Sequence, residues 1–310
     1  MYIFIVNPIA GNRKAKKVLH SLSRASVYKK MQKKIYMTTG MGHAKQLIQF
    51  HTAPKNYKRI DGIVIVGGDG TLHEVINGLG NRRLPIAYIP TGSGNDFKRG
   101  AHITLSPEQT VKNLYNRNNP VWYWTGTYYN ERNETCSFLN CLGVGFDAKV
   151  AAQVNQSKIK SLLHRFGLGK IMYTAALMRE IFFYKSFPVQ IQADEQTYYF
   201  PDCLFAVVNG HPYFGGGMKI NPQAYNNQET LSVLVVDSIA KWKVLALFFT
   251  VFFGTHLRFK EVHVLKSKHI RIKTEHPVLI QSDGETGINQ DLTVAIAEKP
   301  LEIYGALPEI

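Results

Sequence analysis

Apolar residues are grouped differently in the first third of this chain and in the remainder. Four short, nearly continuous apolar runs predict strands over 2–6, 35–38, 61–66 and 84–89, and the stretches between them predict helices near 14–33, 43–50 and 71–79. Strands that alternate with helices in this way are typical of an α/β domain with a mostly parallel sheet.

The pattern changes at the polar segment 112–120, which is the best candidate for a domain boundary. The following residues predict paired strands over 121–129 and 135–142, then further strands over 189–193, 204–209, 231–236, 270–273, 278–281 and 292–296. We therefore expect an α/β domain over residues 1–119 and a β-rich domain over residues 120–299.

The longest apolar run, Val244–Phe253, is about half the roughly 20 residues that a membrane-spanning helix needs. A buried core helix is the favoured interpretation of this run.

A glycine turn directly follows the third predicted strand. Gly67, Gly68 and Gly70 surround Asp69, and the turn opens into the apolar face of the next predicted helix. Thr71 and Glu74 have the spacing of a helix capping box. A strand, a glycine turn and a helix N-terminus together expose backbone N–H groups that can bind phosphate, and a carboxylate beside phosphate implies a cation such as Mg²⁺. The alternative is an ordinary turn that needs glycines for positive φ and Asp69 as a cap.

Two other strands end in similar chemistry. The strand over 84–89 is followed by the turn Pro90–Phe97, which holds Gly92, Ser93, Gly94 and Asn95, and the first strand is followed by Asn7–Gly11. Open α/β sheets bind ligands at the carboxyl edge of their strands, so three such turns predict a nucleotide site at that edge.

These turns resemble the catalytic-domain motifs of the diacylglycerol kinase family, most closely the soluble bacterial lipid kinases. Later segments resemble that family's later motifs in the same order, so the resemblance covers essentially the whole chain: Leu139–Asn140, Gly143–Ala148, Gly215–Met218 and Asp283–Glu285. It implies two domains, an N-terminal α/β nucleotide-binding domain of the NAD kinase and diacylglycerol kinase type and a β-rich second domain, with the active site in the cleft between them. It also implies that the strand near 301–304 returns to the first domain, so that residues 300–310 belong to it.

The resemblance assigns an ATP site to the three turns. The residues expected to hold ATP are Asn7, Pro8, Ile9, Ala10, Gly11, Thr38, Gly67, Gly68, Asp69, Gly70, Thr71, Leu72, His73, Ser93 and Asn95. Asp69 is expected to organise Mg²⁺ on ATP, directly or through water. His73 stands where the family usually has asparagine. A P-loop kinase is excluded, because no Gly-x-x-x-x-Gly-Lys-Ser/Thr motif occurs in the sequence.

The resemblance also assigns the catalytic base. Asp283–Gly284 after an apolar strand is typical of an ordinary hairpin turn. In the family, however, the glutamate of the Asp-Gly-Glu motif accepts the proton of the acceptor hydroxyl, which gives Glu285 that role here.

One segment departs from the family. Bacterial lipid kinases usually carry an Asp-Asp-Gly turn that holds a structural Mg²⁺, and the matching residues here are Asn227, Gln228 and Glu229. Mg²⁺ favours carboxylates, so we predict that this second metal site is absent or much weakened. An octahedral Mg²⁺ at Asn227–Glu229 in crystals grown with millimolar magnesium would contradict that prediction.

The net charge of +15 suits an anionic partner. Basic residues cluster over 13–17, 29–34 and 158–170, and each cluster alone would be an ordinary solvated helix face. No zinc-finger spacing or aromatic RNA-binding signature accompanies them, so we expect an anionic membrane surface and no nucleic acid. Three cysteines without a Cys-x-x-Cys pair, and an N-terminus without a signal peptide, predict a cytoplasmic protein at the inner face of the membrane. A homodimer is left open.

Taken together, these features predict an ATP- and Mg²⁺-dependent lipid kinase that phosphorylates a hydroxyl of diacylglycerol or a similar lipid. Two alternatives remain open at this point. One is a kinase of another acceptor, such as a different lipid or an NAD-like molecule, and the other is a non-catalytic lipid- or nucleotide-binding relative.

Overall fold

The protein folds around two sheets, one mostly parallel and one antiparallel. The computed structural model describes residues 1–57, 59–130, 133–156, 180, 183–226 and 230–306. The N-terminal residues build four parallel strands of the first sheet, as the alternation of strands and helices predicts.

The first sheet has six strands in the order β2-β1-β3-β4-β17-β5. Its strands are β1 (Tyr2–Val6), β2 (Lys33–Met37), β3 (Gly62–Gly67), β4 (Ile86–Pro90), β5 (Val121–Tyr123) and β17 (Leu301–Tyr304). The helices between them are α1 (Ala10–Leu22), α2 (Ser26–Lys30), α3 (His43–His51), α4 (Pro54–Tyr57), α5 (Asp69–Leu79), α6 (Asp96–Gly100) and α7 (Pro107–Asn116).

Helices cover both faces of this sheet. Ile3 and Ile5 of β1 pack with Ile48 of α3 and Leu72 of α5 in one cluster, whereas alternate residues such as Phe4 pack toward α1, α2 and α7. Strands buried on both sides read as continuous apolar runs, which is why the sequence pattern locates β1, β3 and β4 closely.

The second sheet has nine strands and is antiparallel, with the path β14-β13-β10-β8-β15-β16-β6-β7 and β9 paired to both β10 and β15. Its strands are β6 (Gly126–Tyr129), β7 (Thr135–Phe138), β8 (Cys141–Gly145), β9 (Phe187–Ala193), β10 (Gln196–Asn209), β13 (Leu231–Asp237), β14 (Val262–Ser267), β15 (His269–Ser282) and β16 (Glu285–Ile296). A separate small hairpin consists of β11 (Tyr213–Phe214) and β12 (Met218–Lys219). The helices in this part are α8 (Phe146–Gln156) and α9 (Lys241–Val251), with a 3₁₀ turn at Thr255–Arg258.

The strand order corrects one predicted pairing. The sequence predicts a single strand over 121–129, but the structure divides it. Val121–Tyr123 pairs with β17 in the first sheet, and Gly126–Tyr129 pairs with β7 and β16 in the second. The chain therefore crosses between the sheets at residues 124–125, and β17 returns to the first sheet beside β4.

Two local predictions in the first part are wrong. The single helix expected near 14–33 is two helices, because the chain ends α1 at Leu22 and starts α2 at Ser26. The capping box of Thr71 and Glu74 does not form, because α5 already begins at Asp69 with Gly68 at its N-cap. Glu74 instead accepts hydrogen bonds from the backbone N–H groups of Gly42 (2.8 Å) and Ala44 (2.9 Å), and so caps the neighbouring helix α3.

The predicted buried helix over 244–253 is buried on one side only. Val244, Leu247 and Val251 of α9 pack against the second sheet, whereas Trp242 and Phe249 are exposed. In the described part of the chain, no helix is both long and apolar enough to cross a membrane. The basic cluster over 158–170 and the segment Asn227–Glu229 lie outside the described residues.

Candidate active site

The three turns predicted from the sequence lie at one edge of the first sheet. β1, β2, β3 and β4 are parallel, and their registers align Val6 with Met37 and with Val66, and Gly67 with Pro90. The residues that follow each strand are therefore neighbours, which places Asn7–Gly11, Thr38, Gly68–His73 and the turn after Pro90 at the carboxyl edge.

Glycines allow these turns to touch each other. A Cβ atom on Gly92 would lie 2.7 Å from Cα of Gly68, and one on Gly11 would lie 1.7 Å from the carbonyl oxygen of Thr91. Gly11 also has a φ of +56°, which side-chain-bearing residues rarely adopt. Hydrogen bonds add to this contact, because Thr91 N–H donates to the carbonyl of Gly67 (2.8 Å) and Asn7 Nδ2 donates to Thr71 Oγ1 (3.2 Å).

Gly70 has a different environment from these glycines. A Cβ atom at this position would meet no atom within 4 Å, and Gly70 lies in the first turn of α5, where alanine is the better helix former. The packing of the protein therefore gives no reason for glycine here. Close approach of a ligand to the backbone at the N-terminus of α5 does give one.

A pair of alanine substitutions separates the two roles of glycine. Gly92→Ala is expected to lower the free energy of unfolding by about 1–3 kcal/mol, because its methyl group overlaps Gly68. Gly70→Ala is expected to keep that stability but to weaken ATP binding. Thermal unfolding and ATP titration of both variants check this, and equal destabilisation by the two substitutions would contradict it.

Asp69 is a partly buried carboxylate held from two sides. Its Oδ1 accepts a hydrogen bond from the hydroxyl of Tyr88 (3.2 Å), and its Oδ2 accepts one from the backbone N–H of Asp96 (3.0 Å). Burial raises the pKa of Asp69 to about 6, and the neighbouring carboxylates of Asp96 and Asp283 act in the same direction, while the two hydrogen bonds oppose them. This concentration of negative charge favours a cation at the site.

Asp96 links this edge to the second part of the chain. Its Oδ2 accepts a hydrogen bond from the backbone N–H of Gly216 (2.7 Å), within the turn between β11 and β12, and its Oδ1 pairs with Arg99 Nη1 (3.1 Å). Burial raises the pKa of Asp96 despite these partners. Sequence reasoning missed both residues. Asp96 lies in the turn Pro90–Phe97 but was given no role, and Arg99 lies beyond that turn.

The turn that carries Glu285 is fixed against helix α5. Asp283 and Gly284 have φ values of +49° and +95° and form the two-residue turn of the β15–β16 hairpin, as the alternative interpretation of this motif expects. The Asp283 carboxylate is fully buried and accepts hydrogen bonds from the backbone N–H groups of Leu139 (2.7 Å), Asn140 (2.8 Å) and Cys141 (3.1 Å). Glu285 is the exposed first residue of β16.

His73 provides the contact between helix α5 and the β15–β16 turn. Its Nδ1 lies 3.0 Å from Asp283 Oδ2, although the two residues are 210 positions apart in sequence. Burial acts to raise the pKa of Asp283, but the hydrogen bond and charge of His73 and the backbone N–H groups outweigh it and lower that pKa. One turn further along α5, the Asn77 amide exchanges two hydrogen bonds of 2.9 Å with the backbone of Ser137. The helix that carries Asp69 is therefore docked directly on the β-rich part.

Apart from Gly70 and Glu285, described above, the predicted site residues differ in their contacts and exposure. Asn7, Gly11, Gly67, Gly68, Asp69, Thr71 and Asn95 take part in the hydrogen bonds and close contacts that hold the two glycine turns and α5 together. Thr38, Leu72 and His73 are buried beside them, whereas Ile9 and Ser93 are exposed at the rim. Pro8 and Ala10 complete the first turn, where the backbone N–H of Ala10 bonds to the carbonyl of Asn7 (3.2 Å).

The donor set of this edge fits a nucleotide-bound Mg²⁺ rather than a closed metal cage. Within the described residues, no group of three or more His, Cys, Asp or Glu side chains has the geometry to hold a metal ion. Mg²⁺ in kinase sites takes one or two carboxylates and completes its shell with phosphate and water oxygens. Asp69 and Asp96 can supply those carboxylates, because each ionised carboxylate keeps acceptor capacity beyond the hydrogen bonds it already accepts.

The glycine turns and the carboxylates of Asp69, Asp96 and Asp283 lie where the α/β part contacts the β-rich part. Comparison with known families gives the class of protein to which this arrangement belongs. Residues 1–121 match the diacylglycerol kinase catalytic domain, and residues 140–305 match the YegS C-terminal NAD kinase beta sandwich-like domain. The chain belongs to the diacylglycerol kinase-like family that combines these two domains.

Individual relatives agree with this assignment. A Bacillus subtilis protein provisionally named as a lipid kinase, YtlR, is 28% identical over 305 residues, which cover 97% of this chain and 98% of that protein. A diacylglycerol kinase of Mycobacterium tuberculosis is 23% identical over 91% of this chain and 87% of its own length. A crystal structure of a protein from Bacillus anthracis, provisionally described as a diacylglycerol kinase, has a TM-score of 0.72 at 23% identity and covers 98% of this chain and 96% of that chain. That structural likeness supports the fold.

Proposed function

We propose that this protein is a lipid kinase that transfers the γ-phosphate of ATP to the hydroxyl of diacylglycerol and forms phosphatidic acid. The observation that carries the proposal is the contact of His73 with Asp283. It holds the turn of Glu285 against the helix whose N-terminus carries Asp69 and Gly70. The proposed phosphate-binding edge and the proposed base therefore lie on elements that contact each other.

Each part of the site has a function in this reaction. The N-terminus of α5 and the backbone of the adjoining glycine turns would bind the ATP phosphates, because unpaired N–H groups and the helix dipole favour anions there. Asp69, oriented by Tyr88 and by the backbone of Asp96, would hold the Mg²⁺ that neutralises phosphate charge when ATP is bound. Glu285 would accept the proton of the lipid hydroxyl as its oxygen attacks phosphorus.

The test uses the purified protein, labelled ATP and a total lipid extract from bacterial membranes. The expected product is labelled phosphatidic acid, in an amount that rises when diacylglycerol is added and falls in the Glu285→Gln variant. Label in another lipid would change the acceptor but keep the reaction type. Label in NAD alone, or no product under any condition, would overturn the proposal.

We also propose that the protein binds its substrate at an anionic membrane surface. Exposed lysines of the first two basic clusters, such as Lys16, Lys17, Lys29 and Lys30, line the outer surfaces of α1 and α2. Each basic residue near an anionic surface contributes on the order of 1 kcal/mol, and salt screens this attraction. Sedimentation with anionic but not neutral vesicles, weaker at high salt, is the expected result. Equal binding to both vesicle types at every salt concentration would contradict it.

A further inference from the structure

Helix α9 exposes a row of large apolar side chains. Trp242 and Phe249 are 70% and 58% exposed, and Phe253, just beyond the helix, is 78% exposed, with Leu245 and Phe252 between them. These positions are separated by three or four residues and therefore lie on one face, which we call the aromatic face. The opposite face is anchored, because Val244, Leu247 and Val251 pack on the second sheet.

Basic residues lie at both ends of helix α9. Lys241 begins the helix, Lys219 lies beside Gly254 after its end, and Arg258 and Lys260 follow in the next turn, all of them exposed. The nearby carboxylate of Glu261 is paired with Lys243 (2.6 Å), so its charge is already balanced. Aromatic side chains with a cationic border are typical of segments that lie in the interface of an anionic membrane.

Charge argues against a second copy of this chain as the occupant of the aromatic face. A second copy would bring the same exposed basic residues, Lys241, Lys219, Arg258 and Lys260, against those of the first, and like charges repel. An anionic membrane attracts these residues, and its interface accepts a short helix whose apolar face enters the headgroup region.

The aromatic face is also connected to the candidate active site. The hydrophobic cluster that anchors α9 includes Phe214 and Met218, which flank the glycine turn whose Gly216 bonds Asp96. A membrane bound at α9 would therefore be separated from Asp96 of the candidate active site only by this hydrophobic cluster and the glycine turn.

We propose that α9 is a membrane-docking element that inserts Trp242, Phe249 and Phe253 into an anionic lipid surface. Because salt does not screen the insertion of apolar side chains, this element strengthens membrane binding at salt concentrations that weaken the electrostatic attraction. Its purpose, to bring the candidate active site to a lipid acceptor, rests on the proposed function. The binding itself does not depend on catalysis.

The experiment uses the full chain and vesicles of phosphatidylglycerol mixed with phosphatidylcholine, without ATP or diacylglycerol. The double variant Phe249→Ser/Phe253→Ser is expected to bind about tenfold more weakly or worse, because two aromatic side chains no longer leave water, and its residual binding should disappear at high salt. Phe50→Ser is the matched control, since Phe50 of α3 is also 70% exposed but belongs to the first part of the chain. Unchanged thermal unfolding of all variants shows that folding is retained.

Tryptophan fluorescence gives an independent reading. The emission of the wild-type protein should shift to shorter wavelength when vesicles are added, and Trp242→Phe should remove that shift while it keeps binding. Wild-type vesicle affinity in the double variant, or no spectral shift, would overturn the proposal. A concentration-dependent dimer that the double variant abolishes would also overturn it, in favour of a second copy. Vesicle binding as expected together with no lipid phosphorylation would refute the proposed function and leave the docking element standing.

Discussion

Replacing Glu285 with glutamine is expected to lower the turnover of lipid phosphorylation by about 10²–10⁴-fold, which is the usual contribution of a general base. Glutamine has the shape of glutamate but cannot accept the hydroxyl proton. Nucleotide binding should be retained, because Glu285 lies on the β15–β16 hairpin and not on the sheet edge assigned to ATP. Steady-state kinetics with the true acceptor and a separate ATP titration measure the two quantities.

The fold gives this variant a matched control. Glu275 is another exposed glutamate of the same hairpin, so Glu275→Gln makes the same chemical change away from the turn. It should leave turnover unchanged. Near-wild-type turnover in Glu285→Gln would show that Glu285 is not the general base and would point to another carboxylate of the candidate site.

The carboxyl edge of the first sheet, with its three turns, was predictable because its signals are local. A strand buried on both faces is a continuous apolar run, and a turn that brings two backbones together needs glycine, as Gly11 and Gly92 show. Both signals occupy a few consecutive residues. The order of the parallel strands β2, β1, β3 and β4 then places the turns together without further information.

The long-range contacts of α5 were not predictable, because no local signal marks them. The family resemblance singles out His73 as a departure and Asp283 as part of a motif, but neither residue indicates the other, 210 positions away. Glu74 has the spacing to cap its own helix and caps α3 instead, since the N-terminus of α3 packs beside α5. Long-range partners such as these depend on how the helices pack, which a capping pattern does not specify.

The exposure of α9 shows a different limit. Its residues are apolar on almost every side, so the pattern predicts a helix but not which face is covered. The second sheet covers only the side of Val244, Leu247 and Val251. Burial was the expectation for this run, and the structure replaces it with a half-exposed helix.

Replacing Asp69 with asparagine is expected to lower kcat/KM for ATP with Mg²⁺ by on the order of 10²–10³-fold, the usual effect of removing one preorganised electrostatic group. Asparagine can still accept a hydrogen bond from Tyr88 or Asp96, but it carries no charge for a cation. Tyr88→Phe, which leaves the carboxylate in place and removes only one hydrogen bond, should have a much smaller effect.

The pH dependence of this variant tests the assignment most sharply. The pKa of Asp69 without a cation is about 6, raised by burial from the ordinary value of 3.8. The wild-type affinity for ATP with Mg²⁺ should therefore fall as the pH is lowered through 6, because the protonated carboxyl is neutral. The asparagine variant should not show this loss of affinity at low pH.

The stability of the cation-free protein should change in the opposite direction, falling as the pH is raised. A raised pKa means that the folded protein holds the proton more tightly than the unfolded chain does. The ionised Asp69 carboxylate therefore lowers the free energy of unfolding as the pH rises from 3.8 to about 6. Asp69→Asn removes this loss of stability. If the asparagine variant is at least as stable as the wild type above pH 6 but no longer uses ATP as a substrate, its defect lies in cation binding and not in folding. If the variant keeps the wild-type affinity for ATP and also loses affinity at low pH as the wild type does, the role of Asp69 is refuted.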